Sequence, residues 1–397
     1  MKITVYSNFF NHHQLPFAKA VINHVGKENF AFVATEPVPS DRIEMGYHDM
    51  NKGYSFVLTP YDNSSHEQKA RELLETSDVV LIGSVKDDYL RRRLKTGKIT
   101  FKTSERYFKE GNSLVQIPQN FLSAMKHIKR FDRYQNFYYL CMSAYTAGDV
   151  NQYANYKNRT YKWGYFPEVN KYNIDDLMNR KKSKISDGLK HSCASILWVG
   201  RLIGLKHPEM AVDLAEELKN AGYSFKLRII GNGILEKQLQ AMIEEKKLTD
   251  YIEMLGVMSP EQVRKYMEEA DIYLFTSDFH EGWGAVLNEA MNSGCAVVSS
   301  HAIGSVPFLV KDKINGLIYR NGDSHSLRVA VCELLDNQSK REALGREAYY
   351  TMEKQWNADN AVQRLLTLIE ALKKGDESPF IDGVCSKAEI LSNNWFE

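Results

Sequence analysis

Two glutamates in the second half of the chain have a spacing that suits a ligand site. Glu281 and Glu289 are separated by seven residues, and Gly282 and Gly284 lie between them. Glycines let backbone N–H groups approach a ligand closely, and a helix N-terminus attracts an anion. A nucleotide-sugar needs N–H donors for its diphosphate, one carboxylate for the ribose hydroxyls and one for the sugar hydroxyls. The pattern favours such a site over the alternative, in which both glutamates are ordinary surface charges.

The residues around this pair predict a strand, a loop, a helix and a second strand. Residues 271–277 and 295–300 are short apolar runs typical of buried parallel strands. Residues 285–293 have helical spacing, and Gly294 stands where a left-handed C-terminal cap belongs. Because ligands of parallel sheets bind at the carboxyl ends of the strands, both glutamates are expected at the binding edge.

The string EGWGAVLNEAMNSGCAVVSS, residues 281–300, resembles the glutamate-x7-glutamate motif of retaining glycosyltransferases of family 4. That resemblance implies the GT-B fold, with two Rossmann-like domains facing across a cleft and a last helix that crosses back to the first domain. It also implies transfer of a sugar from a nucleoside diphosphate to an acceptor hydroxyl with retention of configuration. The sequence departs from the family pattern at Phe308, where a glutamate is common, and this puts one donor contact in doubt.

Two cations follow the first strand of the second half, in the string ILWVGRLIGLKHPEM. The resemblance implies that Arg201 and Lys206 hold the donor diphosphate. Negative charge builds on the diphosphate as the sugar–phosphate bond breaks, so fixed cations stabilise the transition state more than the ground state. Metal-dependent transferases use Mg²⁺ held by an Asp-x-Asp motif for this purpose, and the sequence has no such motif. We therefore expect neither a metal nor another cofactor.

The resemblance assigns roles to these residues. Arg201, Lys206 and Glu281 are the predicted catalytic residues, with Glu281 contacting the sugar hydroxyls and Glu289 holding the ribose. The predicted donor-binding residues are Gly200, Asn232, Val257, Met258, Gly282, Trp283, Gly284, Ala285, Val286 and Glu289.

The loop after the first predicted strand, SNFFNHHQLPFAKA, contains no glycine, which argues against a dinucleotide-binding fingerprint. Its His12, His13 and Gln14 are candidates for contacts with the acceptor, and one of them could instead simply cap the loop. Glu105, at the end of a later strand, is a weaker candidate, for which a structural salt bridge is the favoured alternative.

The predicted organisation is α/β with two Rossmann-like domains. We expect an acceptor-binding domain over residues 1–180, a linker within 171–190, and a donor-binding domain over 191–357. Residues 358–397 are predicted to be the crossing helix and a tail that packs back on the first domain.

Composition restricts the class of protein and its surroundings. Apolar residues make up 43% and charged residues 25% of the 397, which is typical of a globular protein. Residues 1–190 hold 29 Lys and Arg against 20 Asp and Glu, whereas the remainder holds 22 against 30. The absence of a long apolar run or signal peptide predicts a protein that is cytoplasmic or peripheral on the inner face of a membrane. The basic first half suits contact with an anionic membrane, and scattered solvated lysines are the alternative. The five cysteines are expected to be unpaired thiols.

Together these features predict a hexosyltransferase that uses a UDP-sugar, or secondarily a GDP-sugar, and a glycan or lipid-linked acceptor. Surface polysaccharide biosynthesis is the expected setting, and nucleic acid is not an expected partner. Three alternatives stay open: a nucleotide-sugar epimerase of the same fold, a non-catalytic nucleotide-sugar-binding module and, least favoured, a nicotinamide-dependent oxidoreductase.

Overall fold

The computed structural model describes residues 1–40, 43, 48–109, 119–183 and 193–396. Contacts divide the chain into two compact units. The first unit comprises residues 1–168 and 356–392, and the second comprises residues 169–355 and 393–397. Each unit contains one parallel sheet flanked by helices, so the prediction of two Rossmann-like domains is confirmed.

The first unit is built on a seven-stranded parallel sheet with the order β3-β2-β1-β4-β5-β6-β7. Its strands are β1 Ile3–Ser7, β2 Phe30–Ala34, β3 Val57–Leu58, β4 Val79–Ile82, β5 Thr100–Ser104, β6 Phe137–Cys141 and β7 Thr160–Lys162. Its helices are α1 Leu15–Val25, α2 Ser64–Thr76, α3 Asp87–Leu94, α4 Gln119–Phe131, α5 Thr146–Asn151 and, later in the chain, α14 Ala358–Lys374. The central strand β4 reads VVLI and is buried along its whole length, because helices cover both faces of a parallel sheet.

The second unit has a six-stranded parallel sheet with the order β10-β9-β8-β11-β12-β13. Its strands are β8 Ala194–Val199, β9 Phe225–Ile230, β10 Ile252–Gly256, β11 Ile272–Phe275, β12 Ala296–Ser300 and β13 Leu317–Tyr319. Its helices are α6 Ile174–Ser183, α7 Pro208–Asn220, α8 Glu236–Glu245, α9 Pro260–Glu269, α10 Val286–Asn292, α11 Val306–Leu309, α12 Ser324–Asp336 and α13 Gln338–Tyr350. The core lies between the sheet and these helices, where Ile196, Leu214, Leu227 and Leu274 are buried.

Part of the predicted linker is in fact helix α6. Its residues Ile174, Leu177 and Met178 are buried and pack with Tyr349 of α13, so this segment belongs to the core of the second unit. The contacts place the change between units after residue 168, not near residue 180. The last part of the predicted linker, residues 184–190, and the predicted start of the donor domain at 191 lie outside the described residues.

The C-terminal region divides between the two units. Helix α14 packs against α1 within the first unit, and residues up to 392 stay with that unit. Residues 393–396 instead contact the second unit, where Trp395 Nε1 donates to the carbonyl oxygen of His301 at 3.2 Å. The last residues of the tail therefore belong to the second unit, whereas the prediction placed the whole tail on the first domain. Every helix of the described residues is too short or too polar to cross a bilayer.

Candidate functional site

The carboxyl ends of β8, β9 and β10 are joined by backbone hydrogen bonds at three glycines. Gly200 donates to the carbonyl of Ile230 at 3.0 Å, and Gly231 donates to the carbonyl of Gly256 at 2.8 Å. Gly231 has φ 133°, and a Cβ atom there would lie 1.9 Å from the carbonyl oxygen of Gly200. A side chain at Gly231 would therefore force these strand ends apart.

Three predicted donor-binding side chains are open to solvent beyond these glycines. Arg201 is exposed, and its guanidinium forms no ion pair with a described residue. Asn232 is also exposed, while its carbonyl accepts from Leu202 N–H at 2.7 Å. Val257 is 64% exposed, and Met258 next to it is half-buried. The edge thus offers one cation, one amide and one apolar surface.

Lys206 and Glu281, which are 75 residues apart in sequence, form an ion pair. Lys206 ends the single helical turn Gly204–Lys206, and Glu281 lies in the loop after β11. Their side chains are only 14% and 13% exposed. The Glu281 carboxylate also accepts from the Ser277 hydroxyl at 3.1 Å. This desolvated pair fixes the ammonium and the carboxylate beside one another at the strand edge.

The turn that carries Lys206 is fastened to β11 by a hydrogen-bonded chain of buried side chains. The indole N–H of Trp198 donates to Thr276 Oγ1 at 2.8 Å. The same hydroxyl donates to the carbonyl of Lys206 at 2.6 Å. Because every member is buried or nearly so, this chain restricts the position of the Lys206 backbone.

The loop between the two glutamates has its backbone set by Gly284 and Trp283. Gly284 has φ 76°, and a Cβ atom there would lie 2.2 Å from Cζ of Phe275. Trp283 is 1% exposed, and its indole N–H donates to Asn288 at 2.9 Å, so the ring is part of the core. The backbone N–H groups of Gly282 and Gly284 donate to no other described residue. That these groups donate to a ligand stays a prediction.

Helix α10 begins next, with Ala285 at its N-cap and Val286 as its first residue, and it carries Glu289. Burial raises the pKa of Glu289, and the positive charge of Arg264 partly offsets that effect. The carboxylate has no hydrogen-bond or ion-pair partner among the described residues, whereas Arg264 donates to the backbone carbonyl of Glu289 at 3.2 Å. A desolvated carboxylate without a partner is a strong acceptor for hydroxyl groups.

Both glutamates lie near one buried tyrosine of β11. The pKa of Tyr273 is raised first by burial and then by the charges of Glu289, Cys295 and Glu281. The Tyr273 hydroxyl donates to the carbonyl of Val199 at 3.3 Å, at the end of β8. The structure therefore brings the two predicted carboxylates to the same edge of the sheet.

A cluster of histidines and carboxylates beside the Lys206–Glu281 pair was not predicted. His207 places its two ring nitrogens 2.7 Å from Glu209 Oε1 and 3.0 Å from Asp278 Oδ2. His280 contacts the other oxygen of Asp278 with its backbone N–H at 2.8 Å and with Nδ1 at 2.9 Å. In the sequence, the only signal was that each histidine is adjacent to a predicted site residue.

The candidates in the first unit have mainly local contacts. The rings of His12 and His13 have centroids 3.8 Å apart, and the backbone N–H of His13 donates to the side chain of Asn11 at 3.0 Å. Gln14 accepts from the backbone N–H of Asn11 at 3.0 Å, so its side chain supports the loop before α1. Glu105 pairs with Lys109 at 3.0 Å, which agrees with the structural alternative for this residue.

No group of three or more potential metal ligands occurs within the part of the chain that the structure describes.

Comparisons with known proteins find similarity to glycosyltransferases. Residues 179–351 match the family described as glycosyl transferases group 1. The amylovoran biosynthesis glycosyltransferase AmsK of Erwinia amylovora is 31% identical over 194 residues, which cover 48% of this chain and 47% of that protein. The putative colanic acid biosynthesis glycosyltransferase WcaL of Escherichia coli K12 is 31% identical over 184 residues, covering 45% of each. The chain thus spans about half the length of the curated relatives it matches.

A likeness over nearly the whole chain is found with a solved structure. Anabaena Alr3699/HepE in complex with UDP and glucose has a TM-score of 0.64 at 15% identity, covering 94% of this chain and 100% of that chain. At this identity the likeness shows the fold, with its two Rossmann-like units. The match to the family described as glycosyl transferases group 1 covers residues 179–351, which is less than half of this chain.

Proposed function

We propose that this protein is a retaining, metal-independent glycosyltransferase that moves a hexose from a nucleoside diphosphate to a hydroxyl of an acceptor. The observation that carries the proposal is the Lys206–Glu281 pair at the carboxyl edge of the second sheet, beside the partly desolvated Glu289 and Arg201, which has no ion-pair partner among the described residues. Two cations and two carboxylates at one sheet edge match the charges and hydroxyls of a nucleotide-sugar.

Each residue has a distinct part in the proposed reaction. Arg201 and Lys206 take up the charge that develops on the diphosphate as the bond from the sugar carbon to the phosphate oxygen breaks. Glu281, held by Ser277, accepts from hydroxyls of the sugar. The backbone N–H groups of Gly282 and Gly284 donate to the donor, and Glu289 accepts from the ribose hydroxyls. The acceptor hydroxyl bonds to the sugar carbon as the bond to the phosphate oxygen breaks, and its proton passes to the leaving diphosphate.

A UDP-sugar is the proposed donor, with a GDP-sugar as the second candidate. The neighbour HepE binds UDP and glucose, and it shares the fold of this chain. The acceptor is proposed to be a glycan or a lipid-linked glycan in polysaccharide biosynthesis, since AmsK and WcaL are named for that process. His12 and His13 in the first unit stay the proposed acceptor contacts.

The function is tested by incubating the full chain with UDP-glucose, UDP-galactose, UDP-N-acetylglucosamine and GDP-mannose, with and without a lipid-linked glycan. Released nucleoside diphosphate is measured for wild type, Arg201→Met, Lys206→Met and the exposed control Lys237→Met. We expect release with one donor, a loss of roughly 100-fold or more in the two site variants, and no change in the control. Normal turnover in both site variants would refute the diphosphate assignment.

The same reaction distinguishes the alternatives. A new nucleotide-sugar formed without an acceptor would identify an epimerase. Nucleotide binding without any turnover would identify a binding module. An α-configured product from an α-configured donor, read by NMR, would establish retention, and unchanged turnover in EDTA would establish metal independence.

Contact with an anionic membrane is a separate proposal, supported by the excess of 29 basic over 20 acidic residues in residues 1–190. Sedimentation with phosphatidylglycerol vesicles should show binding at low salt that weakens at high salt. Absence of binding at low salt would end this proposal.

A further inference from the structure

His207 lies between two carboxylates in a geometry that suits only its cationic form. Nδ1 is 2.7 Å from Glu209 Oε1, and Nε2 is 3.0 Å from Asp278 Oδ2. A neutral imidazole has one N–H, so one of its nitrogens would present a lone pair to a carboxylate oxygen at hydrogen-bond distance. A protonated ring donates to both.

The backbone of His207 adds a second, independent observation. Its φ of 47° and ψ of 52° are left-handed, and it is one of four non-glycine residues with positive φ in the described ranges. Glycine would adopt this conformation without strain. A histidine in a position that suits glycine indicates that its side chain has a purpose there.

The contacts of His207 connect the two loops that carry the Lys206–Glu281 pair. His207 directly follows Lys206, and Asp278 lies three residues before Glu281. The backbone N–H of Asp278 also donates to the carbonyl of Leu205 at 3.0 Å. The His207–Asp278 contact therefore closes a bridge between the two loops next to the ion pair.

We propose that protonated His207 is a positioning residue, which holds the loops of Lys206 and Glu281 in register through Asp278 and gives sugar transfer an alkaline limit. This inference rests on the proposed function. The charged groups in contact with the His207 ring are Glu209 of α7 and Asp278 of the loop after β11. His280 shares Asp278, and the Lys206–Glu281 pair is adjacent.

The sign of the pH effect follows from these partners. The hydrogen bond to Glu209 is the largest cause that raises the pKa of His207 from 6.5 to about 8, and Asp278 adds to it while burial opposes it. The raised pKa means that the bridge is fully formed below pH 6.5 and is lost as pH rises through about 8. Turnover should fall over that same range as Lys206 and Glu281 lose their alignment.

The experiment compares pH profiles of kcat and KM for His207→Gln, His207→Gly and Glu209→Gln with wild type. His325→Gln is the matched control, because His325 is exposed on α12 and its side chain hydrogen-bonds, among the described residues, with Arg328 alone, at 3.3 Å. His207→Gly suits the left-handed backbone, so it keeps the test valid if His207→Gln folds poorly. Carbon-13-labelled histidine is titrated by NMR in wild type and Glu209→Gln.

We expect the His207 variants to lose roughly 10- to 100-fold in kcat near neutral pH, with a smaller change in KM, and to lose the alkaline limb. Glu209→Gln should move both the alkaline limb and the NMR titration of His207 to lower pH, and His325→Gln should match wild type. Wild-type pH profiles in the His207 variants would overturn the proposal.

Failure of the inference and failure of the proposed function give different results. If wild type turns over no nucleotide-sugar, the proposed function fails. The NMR titration alone then tests whether protonated His207 joins the two loops. A His207 that titrates at its ordinary pKa in wild type, unchanged in Glu209→Gln, would overturn the bridge.

Discussion

Removing either partner of the Lys206–Glu281 pair alone should lower the free energy of unfolding. This loss should exceed half of the loss that follows when both partners are removed together. Breaking a fully buried pair by losing one partner costs about 3–5 kcal/mol, because a desolvated charge is left alone. In this protein the side chains of Lys206 and Glu281 are 14% and 13% exposed, so some water reaches the charge that remains after one of them is replaced. We therefore expect Lys206→Met and Glu281→Met each to cost about 2–4 kcal/mol in the free energy of unfolding.

The double variant Lys206→Met/Glu281→Met has no charge left without a partner. Its cost should be smaller than the sum of the single costs by about 1–3 kcal/mol, the range for residues in direct contact. Urea unfolding followed by tryptophan fluorescence measures the three values, with the exposed Lys237→Met expected within about 0.5 kcal/mol of wild type. Single costs that add to within about 0.5 kcal/mol would refute the coupling of this pair. The double variant should recover stability without recovering turnover.

Three further predictions concern the loop and helix beside the pair. Gly284→Ala should cost about 2–4 kcal/mol in a thermal or urea melt, because φ is 76° and the new methyl group would lie 2.2 Å from Phe275; a melt like that of wild type would contradict this packing. Trp283→Phe should cost about 1–2 kcal/mol through its lost hydrogen bond to Asn288 and lost volume. UDP affinity measured by calorimetry should barely change, and a large loss would mean that the indole contacts the ligand. The stability of the unliganded protein should fall as pH rises from 4.5 through the raised pKa of Glu289, because the unfolded carboxyl releases its proton first. Nucleotide affinity should rise over the same range as the carboxylate forms. Melts and titrations of Glu289→Gln should lack both trends, and trends like those of wild type would contradict the assignment.

Much of the fold could be predicted because its signals are local. The strand, helix and strand predicted over residues 271–277, 285–293 and 295–300 correspond to β11, α10 and β12 in the structure. Apolar runs, helical spacing and a glycine at the helix end are all patterns of a few neighbouring residues.

The predicted linker was wrong because its apolar residues are few. Ile174, Leu177 and Met178 have helical spacing, but they lie among charged and polar residues. Their burial depends on Tyr349, which is 171 residues further along the chain than Met178, and no local pattern could indicate that contact.

The candidate site likewise has features that could be predicted from the sequence and features that could not. Glu281, Glu289 and the glycines between them form one short string, so their place at a strand end could be predicted. The partner of Glu281 could not, because Lys206 reaches it only through the tertiary fold. The role of Trp283 as a core residue likewise depends on side chains that pack around it, whereas the resemblance implied only that this residue binds the donor.

The most direct test of a nucleotide-sugar site at Glu289 is calorimetric titration of the full chain with UDP, GDP, ADP and NAD, for wild type and Glu289→Gln. We expect UDP to bind wild type, Glu289→Gln to weaken that binding by about 1–3 kcal/mol, or roughly 5- to 150-fold, and NAD not to bind. Equal affinity of UDP for both proteins, or no binding of any nucleoside diphosphate to wild type, would contradict a nucleotide-sugar site at Glu289.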